Sequence, residues 1–105
     1  MGGKTDKQII AAFAHKVKKD FSDARIILFG SRAKGEALEE SDYDFIIVSK
    51  KFEGTNFFTR MEKMYDYWNE RQQLESLCYT PEEFEEKAKL IGIVSEAVAT
   101  GRAIK

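Results

Sequence analysis

Three short apolar runs decide most of what this chain can fold into: RIILF at Arg25–Phe29, YDFIIVS at Tyr43–Ser49 and LESLCY at Leu74–Tyr79. Each is too short for a stable helix and is bounded by turn-forming or charged residues, so each reads as a strand. The first has no polar alternation, which suits a strand covered on both faces. The stretches between them carry a helical period. Ile9, Phe13, Val17 and Phe21 recur every four residues across Lys4–Phe21, with Thr5 or Asp6 placed to cap the start. Phe57, Met61, Met64 and Trp68 form a second stripe, which predicts a helix over Asn56–Arg71. Thr80-Pro81-Glu82-Glu83 opens a third, with Thr80 as N-cap, Pro81 in the first turn and Glu83 returning a bond. Phe84, Ala88 and Ile91 share its face, and Val94 and Val98 extend the stripe past Gly92. Gly101 is expected to supply a left-handed cap, before a final edge strand over Arg102–Lys105. Arg32–Ala37 can make one short helical turn. The order is α β (α) β α β α α, an α/β or α+β layer of helices on a small sheet.

Composition narrows the class. With 43% apolar and 33% charged residues the chain is a globular protein, read as a single domain over residues 1–105. A net charge of −1 gives no basic field, so nothing points directly to nucleic acid. Cys78 is the lone cysteine, which excludes an internal disulfide and offers no metal pattern; it reads as a small buried hydrophobe. The chain opens without an apolar signal segment, and Asp6 stands where a myristoylation signal requires Ser or Thr. No run is long enough to span a bilayer. The expectation is a reduced, cytoplasmic protein with no membrane partner.

The costly feature is Asp42-x-Asp44 at the mouth of the second strand. Residues i and i+2 of a strand point to one face, so the two carboxylates project together and repel. A hard divalent cation such as Mg²⁺ repays that cost, since it takes oxygen ligands and keeps positions open for phosphate oxygens. Gly30-Ser31, at the end of the first strand, complements it. A glycine lets backbone N–H groups approach an anion, Ser31 adds a hydroxyl, and Arg32 and Lys34 add positive charge. A phosphate-holding turn beside metal-holding carboxylates is equipment for phosphoryl or nucleotidyl transfer.

FGSRAKGEALEESDYDFIIV resembles the signature of the DNA polymerase β-like nucleotidyltransferase superfamily: Gly-Ser, a spacer of about ten residues, then Asp-x-Asp flanked by apolar residues. The short chain, GSRAKGEA and the later LCYTPEEFEEK resemble its minimal nucleotidyltransferases, antitoxin partners of HEPN-domain proteins. The resemblance implies a small mixed sheet of three to four strands flanked by helices, like the polymerase β palm. It implies ATP as substrate, Mg²⁺ (two ions) as cofactor, Gly30 and Ser31 on the nucleotide's phosphates, and Asp42 and Asp44 on metal. Arg32 matches an Arg of the GSRARG form and would touch phosphate. Lys34 stands at the second Arg, with the charge but without the bidentate fork. The third carboxylate of the family, a metal ligand and base for the attacking hydroxyl, falls on Glu75, one methylene longer than the usual Asp.

Each of these residues has a plainer reading. Arg32 and Lys34 can be a solvated face, Glu75 an exposed strand residue, and His15 a surface histidine. Phe58, Tyr65 and Tyr67 widen the apolar arc of the second long helix, either as core or as a protein contact. Two functions follow. One is an enzyme that moves AMP from ATP to a hydroxyl, by resemblance a tyrosine of a HEPN-domain toxin. The other is a catalytically weakened module that neutralises a partner by contact alone. The paired carboxylates favour the enzyme. The acceptor, the base preference and the oligomeric state, a homo-oligomer included, stay open.

Overall fold

The computed structural model describes residues 3–105. Helix α1 (Asp6–Asp20) is followed by strand β1 (Arg25–Phe29), the short helix α2 (Ser31–Lys34) and strand β2 (Tyr43–Val48). Then come α3 (Phe57–Met64), β3 (Leu74–Tyr79), α4 (Pro81–Ala88), α5 (Ile93–Thr100) and β4 (Arg102–Ile104). The strands form one mixed sheet in the order β3-β2-β1-β4. β1 runs antiparallel to both β2 and β4, while β2 and β3 are parallel.

The period of two in β2 sorts its side chains. Tyr43, Phe45 and Ile47 enter one core with Phe13 and Val17 of α1 and with Met64, Leu74 and Cys78. Ile46 and Val48 enter a second core with Phe84 of α4 and Val94 and Ala97 of α5. Burying each large apolar side chain contributes about 1.5–3 kcal/mol, so both layers hold the sheet. β1 divides the same way: Ile26 and Leu28 face α1, Ile27 and Phe29 face α5. Both of its faces are covered, as its unalternating sequence implies. Asp44 continues the Ile46–Val48 face, and Asp42 stands just ahead of the strand.

Caps set the helix starts. Thr5, not Asp6, caps α1, in a capping box with Gln8, and Thr80 and Glu83 make the same box at α4. Two expectations are corrected. The helix foreseen over Asn56–Arg71 ends at Met64, gives way to a 3₁₀ turn over Tyr65–Tyr67, and leaves Trp68 extended. Tyr65 Oη donates to Leu74 O, and Trp68 Nε1 donates to Gln72 O at 2.7 Å, which folds the chain back into β3. The Trp68 ring still packs on Phe13 and Tyr43, so its place in the stripe reflects burial rather than helix. Gly101 is no left-handed cap, since its φ is −82°. Glycine is required there because a Cβ would overlap Ala97 O and Leu28 O. Among the described residues no helix is long and apolar enough to cross a membrane.

Candidate active site

Two registers bring Gly30, Asp44 and Glu75 together. Phe29 pairs with Asp44 across the β1–β2 hairpin, so the turn at Gly30 begins beside Asp44. Asp44 pairs with Glu75 across the parallel β2–β3 ladder, which puts those two side chains on one face. Asp42 lies just ahead of β2, is exposed, and acts on Asp44 through its charge. Asp44 is therefore central, with Gly30 on one flank and Glu75 on the other.

Gly30 has φ 74° and ψ −158°, a conformation that side chains rarely adopt. A Cβ built on it would overlap Asp44 Oδ2. The absent side chain thus serves twice, letting the backbone turn and letting the carboxylate lie against it. Gly30 caps α2, and the first amides of a helix have no acceptor within it, so N–H groups are free beside Ser31.

The electrostatics fit a site that waits for a cation. Burial pushes the Asp44 carboxyl up to about 6, with the charges of Glu75 and Asp42 adding to the shift. Among the described residues none of the three carboxylates has an ion-pair partner. They do not enclose a point: no three His, Cys, Asp or Glu side chains of the described residues are close enough together to hold an ion alone. That donor set fits a hard divalent ion completed by phosphate oxygens, the usual habit of Mg²⁺, and not a protein-only cage.

Lys34 is exposed and 3.8 Å from Glu96 of α5. Such a pair holds little energy, so the ammonium is free to turn. With Phe29, Gly30 and Ile93 it lines a cavity of about 210 Å³ that opens on the Gly30 turn. Ile93 and Glu96 had no marker in the sequence.

Arg32 requires a correction. Its guanidinium does not reach toward the Gly-Ser turn as a phosphate contact. It is 7% exposed and committed elsewhere. Nη1 donates to Asp6 Oδ1 at 2.8 Å, and Nη2 donates to Glu39 O and Ser41 O at 3.0 and 2.7 Å. Its plane lies 4.1 Å from the centre of the Tyr43 ring. Tyr43 Oη donates to Asp6 Oδ1 at 2.6 Å. Burial first, and then that bond, hold the phenol well above its ordinary range, so it stays a donor. Asp6 was legible only as a capping candidate. His15 is exposed, as expected, and borders a groove of about 950 Å³ between α1 and β4. That groove holds none of the three carboxylates, so size does not mark the site here.

A family model described as nucleotidyltransferase domain matches residues 10–100, which includes Gly30, Ser31, Asp42, Asp44 and Glu75. The chain belongs to that family. This nucleotidyltransferase is similar to a Methanocaldococcus jannaschii protein provisionally named a protein adenylyltransferase. The two are 42% identical over 52 residues, spanning 48% of this chain and 35% of that one. The chain thus spans about a third of that relative's length. A crystal structure of a Sulfolobus solfataricus protein, provisionally described as a nucleotidyltransferase, superposes with a TM-score of 0.56. The match covers 98% of this chain and 89% of that one at 20% identity, a likeness of fold. The mixed four-stranded sheet flanked by helices is the architecture that the motif resemblance implies.

Proposed function

We propose that this nucleotidyltransferase moves AMP from ATP to a hydroxyl of another protein. The acceptor oxygen attacks the α-phosphorus and its proton leaves to a base. The bond to the β-phosphate oxygen breaks, and pyrophosphate departs with the electron pair. Gly30 and Ser31 hold the phosphates through backbone N–H groups and one hydroxyl. Asp42 and Asp44 would hold Mg²⁺, which supplies charge neutralisation on the phosphates and a lowered pKa for the attacking hydroxyl. Glu75, exposed and paired with Asp44 across the sheet, accepts the acceptor's proton. Lys34 turns from Glu96 to meet the triphosphate.

The observation that supports this reading is the register that sets Asp44 against Glu75 on one face and beside the Gly30 turn, with Asp42 just ahead of Asp44 in the chain. The relative's name adds the choice of a protein acceptor. Resemblance of the motif adds the partner: a HEPN-domain protein whose tyrosine is modified, so that a toxin is silenced in the cytoplasm.

The test is ATP binding by calorimetry with and without Mg²⁺, followed by incubation with a HEPN-domain protein and intact mass. Mg²⁺-dependent binding lost in Asp42→Ala/Asp44→Ala, with AMP added to the partner, supports the proposal. Partner binding without ATP binding or mass gain would replace it by neutralisation through contact alone.

A further inference from the structure

Asp6 lies in the first turn of α1, far outside the segment that carries the motif, yet it ends in the site's foundation. One of its oxygens, Oδ1, accepts from both Arg32 Nη1 and Tyr43 Oη. Arg32 directly follows Ser31, the phosphate-side residue. Its Nη2 holds the carbonyl of Ser41, the residue just before Asp42. Tyr43, under the guanidinium, stands between the two aspartates. A single planar cation thus bridges the phosphate turn and the carboxylate strand, and α1 fixes that cation in place.

Stability alone does not account for this arrangement. A buried ion pair is often no better than apolar packing of the same volume. Here Arg32 Nε is also buried without an acceptor among the described residues, a net cost. The segment it holds is acidic, with Glu36, Glu39, Glu40 and Asp42, and it has no helix or strand of its own. Repulsion among these carboxylates opposes a fixed path for the chain. The fork of Arg32 answers it by gripping two main-chain carbonyls, which no lysine can do together with Asp6.

We infer that Asp6, Arg32 and Tyr43 form a positioning clamp, which fixes the spacing between the Gly30-Ser31 turn and the Asp42 and Asp44 carboxylates. The clamp touches no substrate. It matters because a turn and a carboxylate pair can share one metal–phosphate unit only at one separation, and displacement of about 1 Å at such a site costs on the order of 100-fold. This inference rests on the metal placement of the proposed function.

Calorimetry gives the ratio of the ATP dissociation constants without and with Mg²⁺, which reads that spacing directly. The chains compared are the wild type, Asp6→Asn, Arg32→Lys, the double variant Asp6→Asn/Arg32→Lys, and Arg60→Lys. Arg60 is the control: as deeply buried, at 6% exposed, it grips Glu83 and Cys78 O away from the site. In the clamp variants the ratio should fall about tenfold or more while Mg²⁺-free affinity stays within about twofold. The double variant should fall no further than the worse single one, because the residues act as a unit. Arg60→Lys should lower the melting temperature and leave the ratio unchanged. A wild-type ratio in folded clamp variants would overturn the clamp, as would an equal fall in Arg60→Lys. If wild-type affinity is indifferent to Mg²⁺, the metal placement fails instead. Hydrogen exchange then reads the clamp by itself: faster exchange confined to amides 36–42 in Arg32→Lys upholds it, and unchanged exchange overturns it.

Discussion

Gly30 and Asp44 share one space: Asp44 Oδ2 lies where a side chain on Gly30 would begin. The contact follows from the antiparallel register that pairs Phe29 with Asp44. It ties the Gly-Ser turn to the central carboxylate without any bond between them, and it makes the glycine answer to two demands, its φ of 74° and the carboxylate beside it.

Gly30→Ala should therefore cost more than backbone strain alone. Strain of this kind is worth about 1–3 kcal/mol, and each kcal/mol lowers the melting temperature by about 4–8 °C in a chain of this size. The displaced Asp44 adds to that and should abolish Mg²⁺-dependent ATP binding. Thermal melts of Gly30→Ala and Gly30→Ala/Asp44→Gly separate the two demands. The second substitution should recover part of the loss, and recovery of none would mean that the carboxylate contact carries no cost.

The buried Asp44 carboxylate costs the fold stability. Burial first, and then the charges of Glu75 and Asp42, push its carboxyl up to about 6 from an ordinary value of 3.8. The folded chain binds the proton more tightly, so stability falls as pH rises through that window. Asp44→Asn removes the penalty. It should melt higher than wild type at pH 8, by about 4 °C or more, and the difference should close near pH 4. A variant that melts lower than wild type at pH 8 would contradict a burial penalty on the Asp44 carboxylate.

The strands, the capping box of α4 and the Gly-Ser and Asp-x-Asp pair were legible because each is a local pattern. Alternation, helical period and cap chemistry act within a few residues, and so does the spacing of Asp42 and Asp44. What was not legible depends on partners distant in sequence. Arg32 sits where a phosphate contact belongs, but Asp6 and Tyr43 draw it inward. The early end of α3 is set by bonds from Tyr65 and Trp68 to the segment that leads into β3. The pairing of Glu75 with Asp44 is a matter of register between two strands, which no local pattern specifies.

Cys78 should be silent in the folded chain. It is fully buried on β3, and burial pushes its thiol up to about 12, so almost no thiolate is present at neutral pH. Iodoacetamide at pH 8 should label it only as fast as the sheet opens, and rapidly in urea. Labelling of the native chain at the rate of a free thiol would show that β3 opens locally, and the Asp44–Glu75 pairing with it.

Glu75 is exposed, so its removal should cost the fold almost nothing, and its role can be read cleanly in the reaction. Loss of a general base lowers the rate by about 10²–10⁴-fold. Glu75→Gln should reduce AMP transfer to the partner within that range while ATP affinity in Mg²⁺ changes little, because Asp42 and Asp44 remain. Glu75→Asp shortens the side chain but keeps the carboxylate, so it should retain far more activity than Glu75→Gln. Transfer at the wild-type rate in Glu75→Gln would remove Glu75 from the chemistry and leave the acceptor's proton to water.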